Sequence, residues 1–388
     1  MTRQPTPPQS PAQPASPSIE KVTGPAADPL RSAEGLALIK PSVRAQPAYS
    51  LAALSARHKL NQNESPYDFP AELKREVLEQ CSRVEWQRYP EFTPQDLIVA
   101  LADYYGWRPD GVLVGNGSNE LIQASLAVTL GAGDRVVAPS PTFSLYRLLT
   151  SVLGGVYLPV PLGKDFVFDV DQLIYTARRE GARVIVLNSP NNPTGSALAE
   201  GDVERVLTET EALVICDEAY QDFGGPTAIP LLGRWSRLVV LRTFSKALGL
   251  AGLRFGLALA NPGVAREIAK AKLPYNVNLV TLAAARTALR HAPLLEERTR
   301  QVISVRERFL PRLQEIPDLV VYPTAANFVL IRSRKLPAKD LFQRLLHEHG
   351  ILVRDVSGSP ELAQCLRISV GTGEDMDAVI EALQQITK

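Results

Sequence analysis

The chain has 388 residues, a length that predicts two or three domains, and its 42 lysines and arginines balance 41 aspartates and glutamates. The resulting net charge of +1 lacks the basic excess of proteins that bind nucleic acid or anionic membranes, so we expect neither partner. Three separated cysteines and four histidines without metal-ligand spacing exclude a disulfide framework and predict no metal site. The sequence also lacks a signal-peptide core and an apolar run of about 18 residues, which favours a soluble, cytoplasmic protein.

The first 35 residues form a proline-rich segment. Eight of the 31 prolines lie between Pro5 and Pro29, among Ser, Gln, Thr and Ala and without an aromatic residue. Such a composition cannot bury enough apolar surface to offset the entropy lost on ordering. We therefore predict a disordered tail over residues 1–35, with a partner-binding tail as the alternative.

Short apolar runs alternate with helical patterns from about residue 91 onward. The predicted strands cover residues 112–115, 135–138, 183–188, 213–217 and 238–244, and a helix is predicted over residues 119–130. Nearly continuous apolar strands are expected where helices cover both faces of a sheet. The strand–helix alternation therefore predicts an α/β fold built on a doubly wound, mainly parallel sheet.

The pattern changes after about residue 276. A long helical stretch at 279–313 precedes predicted strands at 327–331, 351–354 and 366–370, with a helix at 338–349. Thr372 and Asp375 have the spacing that caps the start of a helix, which predicts a last helix there. These elements predict a second, smaller α+β domain.

Polar and ionisable residues follow each predicted strand of the large sheet. In chain order they are Asn116-Gly117-Ser118-Asn119, Pro139-Ser140-Pro141-Thr142-Phe143, Ser189-Pro190-Asn191-Asn192-Pro193-Thr194-Gly195, Asp217-Glu218-Ala219-Tyr220, and Thr243-Phe244-Ser245-Lys246 with Arg254 beyond it. Each of these runs, taken singly, is also explained as a helix N-cap, a turn or a solvated side chain. Ligands of open α/β sheets bind at the carboxyl ends of the strands, so we expect the runs to form one site. Together they suit pyridoxal 5′-phosphate, whose aldehyde needs a lysine, whose ring nitrogen needs an acid, and whose phosphate needs a helix N-terminus with a cation.

These motifs resemble those of the fold-type I aminotransferases, which depend on pyridoxal 5′-phosphate. The resemblance rests on Asn-Pro-Thr-Gly at 192–195, Asp-Glu-Ala-Tyr at 217–220 and the run from Thr243 to Gly256. Within that class II family the chain is most similar to the histidinol-phosphate aminotransferase branch, through the following segments: Leu60-Asn61-Gln62-Asn63-Glu64, Arg88-Tyr89-Pro90, Tyr275-Asn276-Val277-Asn278, Ala326-Asn327-Phe328, residues 350–355 and residues 366–372. The resemblance implies a large cofactor-binding domain over residues 65–280 and a discontinuous small α+β domain made of residues 36–64 and 281–388.

The resemblance also implies roles for the residues around the cofactor ring. Lys246 is the lysine that binds the cofactor aldehyde and that, once released, moves a proton at the substrate. Asp217 pairs with the ring nitrogen, Tyr220 and Asn192 hydrogen-bond the ring's 3-oxygen, and Phe143 stacks on the ring face.

The cofactor phosphate is assigned by resemblance to the start of a helix and two side chains. The residues are Gly117, Ser118, Asn119, Ser245 and Arg254. Tyr89 resembles a tyrosine that reaches the cofactor phosphate of the neighbouring subunit. The resemblance therefore implies a homodimer with shared active sites.

Two arginines are the expected substrate-binding residues. Arg367 matches the family's α-carboxylate arginine and Arg354 an additional one of the histidinol-phosphate branch, and a guanidinium suits either a carboxylate or a phosphate. Tyr49 is expected to help hold the substrate phosphate, and Asn192 to border the substrate. An ion pair of Arg354 with Asp355 or another acid is the alternative.

The expected reaction is amino transfer between L-histidinol phosphate and 2-oxoglutarate, which gives imidazole-acetol phosphate and L-glutamate in histidine biosynthesis. An aromatic amino-acid aminotransferase and a threonine-phosphate decarboxylase are the alternatives, because both need the same residues around the cofactor. A regulator that senses the cofactor is not expected, since a proline-rich tail of about 35 residues cannot form a helix-turn-helix domain.

Overall fold

The computed structural model describes residues 33–46 and 54–387. Chain contacts divide the protein into two compact units after Ala45. The first unit contains two short helices, α1 (Ala33–Ala37) and α2 (Pro41–Arg44), and the remaining elements belong to the second unit. Residues 1–32 of the predicted tail, and Tyr49, lie outside the described residues.

The strands of the second unit form three sheets. They are β1 (His58–Lys59), β2 (Val112–Asn116), β3 (Arg135–Ser140), β4 (Val156–Pro161), β5 (Val184–Asn188), β6 (Leu213–Asp217), β7 (Leu238–Thr243), β8 (Phe255–Ala260), β9 (Leu319–Val321), β10 (Phe328–Ser333), β11 (Ile351–Leu352), β12 (Arg354–Asp355) and β13 (Cys365–Ser369).

The second unit also contains eleven α-helices among the described residues, most of which lie between successive strands in the chain. They are α3 (Ala71–Ser82), α4 (Gln95–Tyr105), α5 (Ser118–Thr129), α6 (Leu145–Leu153), α7 (Val170–Glu180), α8 (Asp202–Glu209), α9 (Pro262–Ala269), α10 (Leu279–Arg290), α11 (Ala292–Gln314), α12 (Ala338–His347) and α13 (Gly373–Thr387). The single helical stretch predicted over residues 279–313 is therefore two helices. The chain leaves the helical conformation at His291, and a proline occupies the first turn of α11, where its missing N–H costs nothing.

The largest sheet has seven strands in the order β2-β8-β7-β6-β5-β3-β4. Strand β8 runs antiparallel to both of its neighbours, and the other neighbouring pairs are parallel. The prediction of a doubly wound, mainly parallel α/β fold is confirmed. Strands β4 and β8 were not predicted from the sequence.

Helices cover both faces of this sheet, as the unbroken apolar strands predicted. Leu187 and Val240 face a core that includes buried residues of α3, α4, α7 and α10, whereas Val186 and Val239 face a core that includes residues of α5 and α6. All four of these side chains have no exposed surface. Because the six parallel strands point the same way, the loops after them emerge at one edge of the sheet.

A four-stranded antiparallel sheet, in the order β12-β13-β10-β9, forms the centre of the C-terminal region. It shares a separate hydrophobic core with α11, α12 and α13. Strand β1 pairs in parallel with β11, which brings the segment after residue 58 beside this sheet. We propose the sequence-derived boundaries, with residues 65–280 as the large domain and residues 36–64 and 281–388 as the small one.

Among the described residues, no helix combines the length and apolar character that crossing a membrane would require.

Candidate active site

The loop after β2 and the start of α5 form a candidate anion-binding cradle. Gly117 precedes the helix with a φ of 78°, and a Cβ at this position would lie 2.5 Å from Nη2 of Arg254. Arg254 in turn donates from Nη1 to Oγ of Ser245 over 3.3 Å. Ser118 is buried and Asn119 exposed. Unpaired helix N–H groups, a hydroxyl and a guanidinium therefore meet where the sequence predicted a phosphate site.

Strand β6 ends in a buried acid, Asp217, which is 4% exposed. Its carboxylate accepts hydrogen bonds from the hydroxyl of Tyr146 over 2.7 Å and from the backbone N–H of Ala219 over 3.2 Å. Burial raises the pKa of Asp217, and these two donors oppose the rise. A cation beside this carboxyl, such as a protonated ring nitrogen, would favour its ionised form.

Tyr146 is a candidate site residue that was not predicted from the sequence. Its ring is fully buried and packs edge-on against Phe143, with ring centroids 5.7 Å apart. Burial and the neighbouring Asp217 raise the pKa of the Tyr146 hydroxyl well above its usual value, so the hydroxyl stays a proton donor. In the sequence, only its position three residues after Phe143 indicates that Tyr146 is near the site. Its contact with Asp217 is visible only in the structure.

Lys246 follows β7 and is half-buried. Its Nζ donates to the carbonyl oxygen of Gln62 over 3.0 Å and lies 5.8 Å from the ring centroid of Tyr220. Burial, and then the positive charge of Arg367, lower the pKa of Lys246 to about 7. A large fraction of this amine is therefore neutral near pH 7, the form that attacks an aldehyde.

Three successive residues of the segment after β1 reach the site. The carbonyl oxygen of Asn61 accepts from Nη2 of Arg367 over 2.8 Å, and that of Gln62 accepts from Lys246. The side-chain amide of Asn63 donates to the hydroxyl oxygen of Tyr220 over 3.0 Å. In the sequence this segment is a family-like motif, Leu60-Asn61-Gln62-Asn63-Glu64, without a predicted role.

The two predicted substrate arginines lie directly opposite each other on neighbouring strands, Arg354 on β12 and Arg367 on β13. Arg367 is 8% exposed and donates from Nη1 to Oδ1 of Asn192 over 2.5 Å. Within residues 33–46 and 54–387, Arg354 forms no side-chain hydrogen bond or ion pair, and Asp355 instead accepts from the N–H and hydroxyl of Ser357. The alternative ion pair between Arg354 and Asp355 is therefore absent from the described residues.

Tyr89 forms no hydrogen bond or ring contact with another predicted site residue within the described part of the chain. Its side chain is 80% exposed and stacks on Tyr275, with ring centroids 4.5 Å apart. No contact between Tyr89 and the cradle at Gly117 is found within the described part of the chain.

The loop that carries Asp217 and Tyr220 is fixed from behind by a buried ion-pair network. Glu218 accepts from Arg242 over 3.0 Å, from the hydroxyl of Thr227 over 2.8 Å and from a backbone N–H over 2.6 Å. Arg242 also pairs with Asp222. Glu218 therefore has a structural role, holding the turn between the two predicted cofactor contacts.

The site combines a lysine of low pKa, a buried acid and an anion cradle at the carboxyl edge of a doubly wound sheet. This combination defines the class of pyridoxal-phosphate enzymes with the fold of type I. The Aminotransferase class I and II model matches residues 58–383, and the chain belongs to that family.

Curated relatives and solved structures agree with this assignment. The chain is 39% identical to a histidinol-phosphate aminotransferase of Chlorobaculum tepidum, over 85% of this chain and 94% of the relative. It is also 39% identical to a histidinol-phosphate aminotransferase of Thermococcus gammatolerans, over 90% and 97% of the two chains. The crystal structure of histidinol-phosphate aminotransferase from Sinorhizobium meliloti in complex with pyridoxal-5′-phosphate superposes with a TM-score of 0.82, at 26% identity, over 90% of this chain and 97% of that one.

Proposed function

We propose that this protein is a pyridoxal-phosphate-dependent aminotransferase that transfers the amino group of L-histidinol phosphate to 2-oxoglutarate in histidine biosynthesis. The observation that carries the proposal is the half-buried amine of Lys246, with a pKa lowered to about 7, in a site that also has an anion cradle and two opposed arginines. Relatives named histidinol-phosphate aminotransferase, 39% identical over most of the chain, support the substrate.

The residues present fit pyridoxal 5′-phosphate. A side chain at Gly117 would displace the Arg254 guanidinium, because a Cβ there would lie 2.5 Å from its Nη2, and the φ of 78° also favours glycine. Backbone N–H groups at Ser118 and Asn119, with Ser245 and Arg254, would hold the phosphate. When bound, the cofactor supplies an aldehyde for amines and a protonated ring that accepts the electron pair left when a proton leaves the substrate carbon.

Asp217 would hold the proton on the ring nitrogen, and burial makes this charge pairing strong. Tyr220 and Asn192 would hydrogen-bond the 3-oxygen, while Phe143 covers the ring face. These contacts orient the ring and exclude water from it.

Lys246 would act as the base of the proton transfer once the substrate amine has displaced it. Its neutral amine would accept the proton that leaves the substrate α-carbon and would return it to the aldehyde carbon of the cofactor. A pKa of about 7 suits this task, because proton transfer in both directions is efficient when the catalytic pKa is near the working pH.

Arg367 and Arg354 would bind the two kinds of anion that alternate in the site. Arg367 would bind the α-carboxylate of glutamate, and Arg354, which lies opposite it across the strand pair, would help to bind the phosphate of histidinol phosphate. Tyr49 would assist Arg354.

An assay of three amino donors tests this proposal. Histidinol phosphate, phenylalanine and threonine phosphate would each be incubated with the holoenzyme and 2-oxoglutarate, and glutamate and carbon dioxide would be measured. We expect the highest kcat/KM for glutamate formation with histidinol phosphate. A preference for phenylalanine would identify an aromatic aminotransferase, and carbon dioxide release from threonine phosphate would identify a decarboxylase.

The same proposal includes a homodimer with shared sites in the cytoplasm. The exposed stack of Tyr89 on Tyr275 supports the dimer, since large exposed aromatic surfaces commonly form interfaces. Three cysteines that are all buried and unpaired support a reducing compartment.

A further inference from the structure

Asn63 lies outside the set of residues to which a role has been assigned, yet it is one of the most completely hydrogen-bonded polar residues of the site. It is 1% exposed. Its backbone N–H donates to Oγ of Ser369 over 2.8 Å, and its backbone carbonyl accepts from the amide of Asn327 over 3.1 Å. Its side chain bridges Ser369 on β13 and Tyr220 after β6.

The hydroxyl of Ser369 fixes the orientation of the Asn63 side-chain amide. Because Ser369 Oγ already accepts the backbone N–H of Asn63, its proton needs an acceptor, and Oδ1 of Asn63 lies 3.1 Å away. Turning the amide over would remove this acceptor, and no other is found for the Ser369 proton among the described residues. The Nδ2 group must therefore face Tyr220, to whose hydroxyl oxygen it donates over 3.0 Å.

We propose that Asn63 is a positioning residue that sets the direction of the Tyr220 hydroxyl, so that Tyr220 donates its proton toward the 3-oxygen of the bound cofactor. The chain of donors runs from Ser369 to Asn63, from Asn63 to Tyr220, and from Tyr220 into the cofactor site. This inference rests on the proposed function, because it assumes that pyridoxal 5′-phosphate binds beside Tyr220. A hydrogen bond donated to the 3-oxygen stabilises its ionised form.

The backbone conformation at Asn63 is compatible with Asn63→Asp, a substitution that changes the side-chain donor. Its φ of 54° lies in the left-handed region, which Asn, Asp and Gly adopt more readily than other residues. Asn63→Asp keeps this conformation and the side-chain shape but replaces the amide donor by an acceptor. Tyr220 would then donate its proton to the new carboxylate and no longer to the cofactor.

The test is a spectrophotometric pH titration of the bound cofactor in the holoenzyme. In Asn63→Asp we expect the midpoint of the cofactor absorption change to rise by about one pH unit, a tenfold change in the proton equilibrium. The same substitution in a Tyr220→Phe background should give a smaller shift. Comparing the two backgrounds cancels the direct effect of the added charge, which is present in both.

Two further variants complete the design. Asn261→Asp makes the same chemical change at the N-cap of α9, where the side-chain oxygen that accepts from Gly263 is kept, and should leave the midpoint unchanged. Ser369→Ala removes the group that orients the amide and should give a shift of the same sign that is again smaller without the Tyr220 hydroxyl. If Asn63→Asp does not fold, the shift measured for Ser369→Ala tests the proposed role of Asn63 in its place.

Equal shifts in the two backgrounds, or no shift beside an intact Tyr220, would overturn the proposal. The titration reads only the bound cofactor, so it separates this inference from the substrate assignment. A protein that binds the cofactor but does not use histidinol phosphate would contradict the proposed function and still test Asn63, whereas absence of a cofactor band would contradict both.

Discussion

The amine of Lys246 and the carboxyl of Asp217 both have pKa values shifted mainly by burial, which favours the neutral form of each group. For Lys246 the neutral form is the one that reacts with an aldehyde. For Asp217 the charged form is needed, and a bound ring cation would supply the charge that stabilises it. In the ligand-free site, Lys246 is therefore largely available as a neutral nucleophile, and Asp217 needs a bound cation to stabilise its carboxylate form.

The lowered pKa of Lys246 predicts how cofactor capture depends on pH. As pH rises through about 7, the neutral fraction of Lys246 increases, so the rate of capture by ligand-free protein should rise and then level off. Because an unfolded lysine titrates near its usual 10.5, the unfolded chain binds more protons between these values. This one group should therefore add to folding stability as pH rises from about 7 toward 10.5.

Stopped-flow absorbance of the ligand-free protein mixed with cofactor checks this prediction. Lys272 is a suitable control, because burial also lowers its pKa but it lies outside the site contacts described above. The Lys272→Ala variant should keep the same midpoint. A capture rate that rises only near pH 10 would show that Lys246 is not perturbed as the geometry requires.

The Tyr146 hydroxyl is expected to support Asp217. Tyr146→Phe removes a 2.7 Å hydrogen bond to the carboxylate while nearly preserving the side-chain volume. Loss of one bond to a charged group is worth about 1.5–3 kcal/mol, so we expect kcat to fall by roughly ten- to a hundredfold. Steady-state kinetics and the rate of substrate α-proton exchange measure the effect, and circular dichroism verifies the fold. Unchanged proton exchange would show that Tyr146 only fills space.

At the scale of elements, the cradle depends on how closely β8 approaches the start of α5. A Cβ at Gly256 on β8 would lie 2.3 Å from the backbone nitrogen of Ser118 and 2.6 Å from the carbonyl carbon of Gly117. Backbone atoms cannot yield as a side chain would. The glycine therefore allows the helix N-terminus to sit against the strand.

Gly256→Ala should push α5 away from β8 and weaken both folding and cofactor binding. We expect a loss of about 1–3 kcal/mol in the free energy of unfolding, the range found for overpacked sites. Gly252→Ala is the matched control, since a Cβ there meets nothing within 4 Å. Denaturant unfolding and cofactor titration of both variants give the comparison, and equal behaviour of the two would contradict the close-approach argument.

The pairing of β12 with β13 makes a prediction about the substrate. Arg354→Leu removes a guanidinium that forms no side-chain hydrogen bond or ion pair within the described residues, on the strand beside Arg367. A charge-assisted bond is worth about 1.5–3 kcal/mol, so kcat/KM with histidinol phosphate should fall about tenfold to a few hundredfold. The loss with phenylalanine, which has no distal anion, should be much smaller. Equal losses with both amines would make Arg354 structural.

The sequence predicted the fold and the site best where an apolar strand ends directly in a polar or ionisable residue. Strands β5, β6 and β7 are apolar and end in Asn188, Asp217 and Thr243, so their positions and the site edge could both be predicted. Strand β8 was missed, because its Phe-Gly-Leu-Ala-Leu-Ala sequence contains glycine and alanine, which have low strand propensity. It is a strand because packing between β2 and β7 overrides that propensity.

The roles of Tyr146 and Asn63 could not be read from the sequence for a different reason. Tyr146 meets Asp217 across 71 positions, and Asn63 meets Tyr220 across 157. Their residue types are ordinary for a buried aromatic and for a turn. Only the tertiary structure shows that each donates a hydrogen bond to a residue that was predicted to contact the cofactor.

At the scale of the whole molecule, the described part of the chain exposes several large apolar side chains around Tyr275 and in the segment of residues 86–92. Trp86 is 70% exposed, Tyr89 80%, Phe92 67% and Leu273 72%. Tyr275 joins Tyr89 and Phe92 through ring contacts at 4.5 and 5.5 Å. Exposed apolar clusters of this kind mark interaction sites in soluble proteins, and a second copy of the chain is the partner that the proposed function requires.

Complementation between two inactive variants tests that partnership. If Tyr89 completes the phosphate site of the other protomer, Lys246→Ala disables the site on its own chain whereas Tyr89→Ala disables the site across the interface. A heterodimer of the two variants would then concentrate both defects in one site and keep the other site intact. Mixed and re-equilibrated protomers should therefore recover activity, up to about one quarter of the wild-type value, because random pairing makes half of the dimers mixed and each has one intact site of two.

Co-mixing Lys246→Ala with Asp217→Asn is the control that should recover nothing, since both changes act on the site of their own chain. Light scattering measures assembly in parallel. A fully active monomer would exclude the shared site, and absent recovery in proven heterodimers would place the Tyr89 defect within its own protomer.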